Sequence, residues 1–334
     1  MKKALAALLP EELVAEFPLG QLYRGNQIFH WLQSGLSDFQ GMTNLSKELR
    51  QQLEDSCLIQ TSRIESRAVD PDGSTKYRIE LKDGRLIESV LLVDSRGRKT
   101  ICLSTQVGCA MGCRFCRTAS MGFIRNLEPY EIVEQVLLIE KDGGKAGNIV
   151  FMGMGEPLLN LGNLRKAVTV LGHPLGRAIA PKRMTLSTCG IVDGIEEMAT
   201  LGPPIRLALS LVTAEPLLRA HLMPSTESNS LSRIREALLR YQGVTKKRVT
   251  LEIVLLGGVN TRQRDIEELF RFVRQLKVIV NLIPWNPVDS LPFRRPLKDE
   301  INDFKRRLNA GGIQVTQRYR RGGGISAACG QLFT

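Results

Sequence analysis

The sequence predicts an α/β protein, an open partial (βα)6 barrel preceded by a small α+β accessory domain. Two observations carry this. From about Lys99 onward, short β-rich runs alternate with helical runs in six successive units. Such alternation means a parallel sheet, because each helix returns the chain to the same sheet edge. Six units also fall short of the roughly eight that close a full barrel. A flat doubly wound sheet shares the alternation, and pattern alone leaves it open.

The six strands are expected at 100–104, 148–152, 184–187, 206–211, 249–255 and 278–283, and the helices at 129–141, 161–171, 191–201, 231–241, 262–276 and 297–309. Residues 1–70 read as helical and polar, with apolar spacing at 13–17, 27–32 and 45–53. Residues 75–81 and 86–93 alternate like two strands, and Asp83-Gly84 supplies a hairpin turn between them. Asp70-Pro71-Asp72-Gly73 breaks any regular element. The expected organisation is an N-terminal accessory domain (1–72), a hairpin extension (73–98), the partial barrel (99–316) and a C-terminal loop (317–334).

A chain of 334 residues with 43% hydrophobic and 24% charged residues has ample material for a core, and wholesale disorder is excluded. No apolar run approaches the roughly 20 residues that span a bilayer. The start, Met1-Lys2-Lys3-Ala4-Leu5-Ala6-Ala7-Leu8-Leu9-Pro10, mimics a signal peptide, but its apolar stretch is short and Glu11-Glu12 follow directly. A cytoplasmic location, no membrane contact and a monomer are expected. The 46 Lys+Arg against 34 Asp+Glu leave a net charge of +12. Either a solvated surface or a polyanionic partner explains that excess. Arg294, Arg295, Lys298, Lys305, Arg306, Arg307, Arg318, Arg320 and Arg321 crowd one late stretch and tilt the balance toward phosphate contact.

Seven cysteines, an odd number in a long chain, do not read as a secreted disulfide framework. Three form the run Cys109-Ala-Met-Gly-Cys113-Arg-Phe-Cys116, which ordinarily shares a metal or cluster. A closed zinc site wants four ligands, commonly from paired C-x2-C knuckles. There is no second C-x2-C here, and His30, His173 and His221 are distant in sequence. With Cys102 as fourth ligand the site would be closed; with three cysteines a four-iron cluster keeps one iron free, which implies chemistry. The run follows the first predicted strand. Gly153-Met154-Gly155-Glu156-Pro157 follows the second, Thr188-Cys189-Gly190 the third, Val212-Thr213 the fourth and Trp285-Asn286-Pro287 the sixth. The carboxyl ends of parallel strands line one face, so these segments should converge.

At this point the residues resemble a known group. A C-x3-C-x2-C run after a first strand, then a Gly-Glu turn after the second, resembles the radical S-adenosylmethionine (radical SAM) superfamily. Cys102-Leu-Ser-Thr-Gln-Val-Gly-Cys109, Met152-Gly-Met-Gly-Glu-Pro-Leu-Leu-Asn160, Asn281-Leu-Ile-Pro-Trp-Asn-Pro287 and Ala327-Ala-Cys-Gly-Gln-Leu332 resemble the RlmN/Cfr adenosine methyltransferases. The likeness runs from near Tyr23-Arg24-Gly25 to the C-terminus.

The resemblance implies a radical SAM barrel in which Cys109, Cys113 and Cys116 hold one [4Fe–4S] cluster per chain. S-adenosylmethionine would occupy its free iron and, on reduction, yield a 5′-deoxyadenosyl radical, strong enough to act where the adenine carbon is a poor nucleophile. It makes Cys329, in a glycine-rich loop, the methyl-accepting cysteine, and Cys102 the thiol that resolves a protein–RNA adduct through a transient disulfide. Glu88 matches the family's proposed base, with one extra residue before Cys102; read from the residues alone, it is a solvated edge-strand glutamate. For S-adenosylmethionine the resemblance implies Gly155, Glu156, Ser187, Ser210, Leu211, Val212 and Asn286. Val212-Thr213 stands where the family has His-Ala. Phe115 either shields the cluster or packs as a plain core aromatic.

The function implied is methylation of an adenosine carbon, C2 in 23S rRNA first, with a tRNA adenosine as second substrate and flavodoxin as an electron donor. Two alternatives stand beside it: C8 methylation as in Cfr, and a non-catalytic RNA-binding protein with a structural metal site.

Overall fold

The computed structural model describes residues 2–224, 229–288, 291–318, 322–327 and 329–332. Arg320 and Arg321 of the late basic stretch lie outside the described residues. Along the barrel the strands are β6 (Lys99–Leu103), β9 (Asn148–Phe151), β10 (Met184–Thr188), β11 (Arg206–Ser210), β12 (Val249–Leu255), β13 (Val278–Pro284) and β14 (Val315–Gln317). Neighbours pair in parallel and in chain order, with β6 and β14 at the two ends of the run. That order separates the two architectures left open by pattern. A doubly wound sheet reverses its strand order at a switch point, whereas here every crossover advances the same way, as in a barrel wall. With right-handed crossovers, the connecting helices then share one face.

Those helices are α4 (Pro129–Gly143), α5 (Leu161–Gly172), α6 (Val192–Leu201), α7 (Pro216–Leu222), α8 (Leu231–Thr245), α9 (Gln263–Phe272) and α10 (Lys298–Ala310). Each of the six expected units is present. Two elements were not expected. Helix α7 is a seven-residue segment opened by Pro216 and capped by Glu215, whose carboxylate accepts from Leu218 N at 2.6 Å. It is too short for a hydrophobic period to register. Strand β14 adds a seventh parallel strand of three residues, two of them polar.

On the other side of β6 the sheet turns antiparallel through β5 (Leu86–Val93), β4 (Thr75–Glu80) and β3 (Arg63–Val69). Gly84, at φ +76°, makes the expected β4–β5 turn. The span read as helical through residue 70 ends at Ser56; 63–69 is the outer strand β3, mostly exposed, so its sequence lacks an apolar face to announce it. Asp70-Pro71-Asp72-Gly73 is accordingly a hairpin turn inside this sheet, closed by Asp70 N donating to Ser74 O at 2.8 Å.

Before it lie α1 (Pro10–Glu16), α2 (Leu22–Gln33) and α3 (Lys47–Ser56), tied by a short parallel pair, β1 (Lys3–Ala4) with β2 (Cys57–Leu58). This N-terminal unit docks through Glu134 of α4, a buried carboxylate that accepts from Thr61 N at 2.9 Å and Ser62 N at 2.8 Å. No helix among the described residues is long and apolar enough to cross a membrane.

Candidate active site

The cysteine run leaves the sheet through a small hairpin, β7 (Gln106–Gly108) with β8 (Phe123–Asn126). Gly108 closes it at φ +77°, where a Cβ would collide with the Gly122 carbonyl. Cys109 N then donates to that carbonyl at 2.9 Å. Met111, Phe115, Cys189, Val212, Leu222, Met223, Leu256 and Trp285 form a separate apolar cluster around the loop. Trp285 Nε1 donates to Phe115 O at 3.0 Å, fixing the loop against the end of β13. Phe115 is thus both a packed aromatic and part of the wall beside the cysteines.

Burial pushes the Cys109 thiol up to about 11 and the Cys113 and Cys116 thiols up as well. For Cys109 and Cys113 the charge of neighbouring Cys116 adds to the effect. Three crowded, desolvated thiols give up their protons readily only to a cationic centre, so the donor set fits a cluster. Among the described residues, no three His, Cys, Asp or Glu side chains are set to hold a single metal ion. One zinc would need sulfurs about 2.3 Å from a common point.

Beside the cysteines lies a cavity of about 160 Å³ whose wall includes Gly155, Glu156, Ser187 and Ser210, four of the seven residues expected around S-adenosylmethionine. Gly155, at φ +102°, packs so tightly that a Cβ would sit 2.6 Å from that of Gln106. Glu156 is buried, which raises its carboxyl pKa, and it accepts from Cys189 N at 2.8 Å and Leu158 N at 3.0 Å. Leu211 and Val212 are buried behind that wall rather than in it. Val212 adopts φ +61°, and its nitrogen donates to Glu252 O at 3.1 Å. Asn286 lines a second cavity and keeps a buried Oδ1 that has no hydrogen-bond partner among the described residues. An orphaned acceptor of this kind suits a donor on a bound nucleoside.

That second cavity, about 440 Å³, is lined by Cys102, Cys329, Thr100, Arg98, Gln317 and Arg318 among others. Cys329, Gly330, Cys116, Thr118, Met152 and Gly153 belong to the walls of both cavities. The C-terminal loop is held there by Arg117 N donating to Gly330 O at 2.8 Å and Thr118 Oγ1 to Leu332 O at 3.1 Å. Cys102 and Cys329 are free thiols. Burial, and after it the charge of Cys329, pushes Cys102 up to about 12.

Glu88 stands apart from both walls. It is buried, 3.3 Å from Lys76 Nζ, and shares a face of β5 with Val90, the register partner of Cys102. The solvated reading of this residue therefore gives way to a buried ion pair. Arg318, Glu252 and Met152 escaped sequence reasoning as site residues. Glu252 left a signal, a carboxylate inside an apolar strand; Arg318 was hidden in the basic stretch.

Comparison with known proteins agrees with this geometry. The Radical SAM superfamily model matches residues 103–273, and the ribosomal RNA large subunit methyltransferase N-terminal domain model matches residues 19–59. A radical SAM methyltransferase from Sphaerobacter thermophilus superposes with a TM-score of 0.94 at 39% identity, covering 99% of each chain. Fold and cysteine loop thus define the class, a radical SAM methyltransferase. Narrower likenesses follow. The probable dual-specificity RNA methyltransferase RlmN of Treponema pallidum (strain Nichols) is 47% identical over 98% of this chain and 97% of its own length. The dual-specificity RNA methyltransferase RlmN of a Nitratiruptor species is 39% identical over 99% and 97%. The chain belongs to the RlmN family of radical SAM RNA methyltransferases.

Proposed function

We propose that the protein methylates C2 of an adenosine in 23S rRNA, and an adenosine in tRNA as a second substrate, by way of an S-methyl group on Cys329. The observation that carries this reading is the position of Cys329 on the wall common to the two cavities. A sulfur there faces a cofactor on one side and a substrate base on the other. The names of the relatives, which describe dual-specificity RNA methyltransferases, support RNA as substrate. When bound, a [4Fe–4S] cluster on Cys109, Cys113 and Cys116 together with S-adenosylmethionine would supply the methyl group and the radical that activates it.

The chain's own residues do the rest. Gly155, Glu156, Ser187 and Ser210 receive the cofactor, with backbone access from glycine and polar groups for its amino and ribose ends. Asn286 offers its orphaned oxygen from the neighbouring wall. Leu211 and Val212 act from behind, by holding the β11 end in shape. Cys329 carries the methyl as a thioether. Cys102, in the same cavity, displaces the RNA adduct and forms a transient disulfide with Cys329. Glu88 serves as the base that removes the ring proton, after release from Lys76. The target base must be unpaired to enter the larger cavity. A flavodoxin-type donor supplies electrons, and the protein works as a cytoplasmic monomer.

The test is methyl-labelled S-adenosylmethionine given to anaerobically reconstituted protein, followed by mass spectrometry of protein, rRNA and tRNA. The wild type should acquire label on the Cys329 peptide before RNA is added, then pass it on as 2-methyladenosine. Cys329→Ala should lose label in both places. Label retained by that variant removes the thioether step, and 8-methyladenosine as product replaces the regiochemistry.

A further inference from the structure

Arg318 leaves the end of β14 with its nitrogen donating to Leu282 O at 2.8 Å, and its side chain runs into the larger cavity. Nη1 donates to Cys329 Sγ at 3.1 Å, and Nη1 and Nη2 both rest 3.8 Å from Met152 Sδ. Cys102 lines the same cavity. We propose that Arg318 is a catalytic residue, a single counter-charge that serves two thiolates in turn, Cys329 first and Cys102 after Cys329 has been alkylated. The proposal rests on the reading of Cys329 as methyl carrier and Cys102 as resolving thiol.

The physical basis is a fixed positive charge in a desolvated place. Arginine does not lose its proton in proteins, and a charge-assisted hydrogen bond is strongest where water is excluded. The charge of Cys329 is the foremost cause that holds the Arg318 guanidinium above its ordinary value; Glu252 and Cys102 add to it. Around the pair stand Cys102 from β6, Cys116 from the cluster loop and Glu252 from β12.

Cys102 begins as a protonated and poor nucleophile, because of burial first and of the Cys329 charge second, with Arg318 pulling the other way. Alkylation turns Cys329 into a neutral thioether. Its charge then no longer opposes a Cys102 thiolate, while the guanidinium remains.

The order of events follows. In the first step the Cys329 thiolate forms a sulfur–carbon bond, and the leaving group departs with its electron pair. In the second the Cys102 thiolate forms a sulfur–sulfur bond to Cys329. By then that carbon is also bonded to the ring carbon of the RNA base, whose ring proton leaves to Glu88; the sulfur–carbon bond breaks, its pair stays on the ring-stabilised methylene carbon, and that carbon gains a proton to become the methyl group. The two sulfurs are thereby oxidised and the carbon reduced, and a dithiol reductant must restore the thiols. Until Cys329 is alkylated, Cys102 stays quiet, which also guards against a premature disulfide.

The experiment is timed iodoacetamide labelling of reduced, cofactor-free protein at neutral pH, with peptide mass mapping. The buried Cys57 and Cys189 serve as gauges of folding. Arg318→Gln should slow Cys329 labelling about tenfold. Arg318→Lys should recover most of the rate. In Cys329→Ser, with Arg318 intact, Cys102 should label several times faster than in wild type.

Equal Cys329 rates in wild type and Arg318→Gln, with Cys57 still protected, overturn the proposal. So does an unchanged Cys102 rate in Cys329→Ser, a measurement that stands even where Arg318→Gln fails to fold. Normal labelling order in a wild type that never acquires S-methyl on Cys329 when loaded would instead sink the methyl-carrier reading.

Discussion

Asn286 shows how a single residue trades stability for binding. Its buried Oδ1 lacks a partner, and an unsatisfied buried acceptor costs about 1–3 kcal/mol. Asn286→Leu should therefore hold or raise the melting temperature while weakening S-adenosylmethionine about tenfold in equilibrium dialysis. A variant that binds as tightly as wild type would leave Asn286 no part in holding the cofactor. Cys113 is the opposite case, packed beside Cys116 for a ligand rather than for the fold. Cys113→Ala should leave a folded protein with no iron–sulfur absorption; a loaded, coloured variant would count against the three-cysteine centre. Val212 is a third kind of residue. A β-branched side chain at positive φ is strained by about 1–3 kcal/mol, whereas histidine is several-fold enriched in that region. Asn260 holds the bend, donating to Val212 O at 2.9 Å and Val254 O at 2.8 Å while accepting from Leu256 N at 2.8 Å.

Elements in this sheet are secured at their ends. Helix α10 carries Glu300 in its first turn, and the carboxylate accepts from Leu297 N at 2.7 Å, Gly258 N at 2.9 Å and both ends of Arg294 at 2.8 and 2.9 Å. The Arg294 guanidinium, foremost, holds the Glu300 carboxyl down at about 2, against an ordinary value of 4.5. A depressed folded-state value means stabilisation that is complete above the unfolded value and lost as the pH falls from about 4.5 toward 2. Glu300→Gln keeps a capping acceptor but loses the charge paired with Arg294, so it should cost under about 1 kcal/mol at neutral pH and flatten that acid limb. Urea unfolding between pH 2 and 7 measures both, and an unchanged acid limb would remove Glu300 from the list of pH-sensitive anchors.

The long elements were legible before any coordinates because each carries a strong period. The six units stand where the alternation put them. What failed to register was short or polar: β14 with three residues, α7 with seven, and β3, which shows its side chains to solvent.

For the molecule as a whole, the net charge of +12 predicts RNA affinity governed by counterion release. Affinity for an rRNA fragment should fall steeply and linearly on a log–log plot against salt; a flat line would make the charge a matter of solubility only.

The identity and spacing of the cysteines, the Gly-Glu turn and the succession of six units are local properties, and the chain alone determined them. Only the tertiary structure decided that Cys329 faces two cavities, that Arg318 reaches its sulfur, that Asn286 is left with an orphaned oxygen and that Glu88 lies in a buried pair with Lys76. The reason is geometric. In a singly wound parallel sheet the strand ends of distant segments meet on one rim, and which side chains share a wall depends on register and crossover direction.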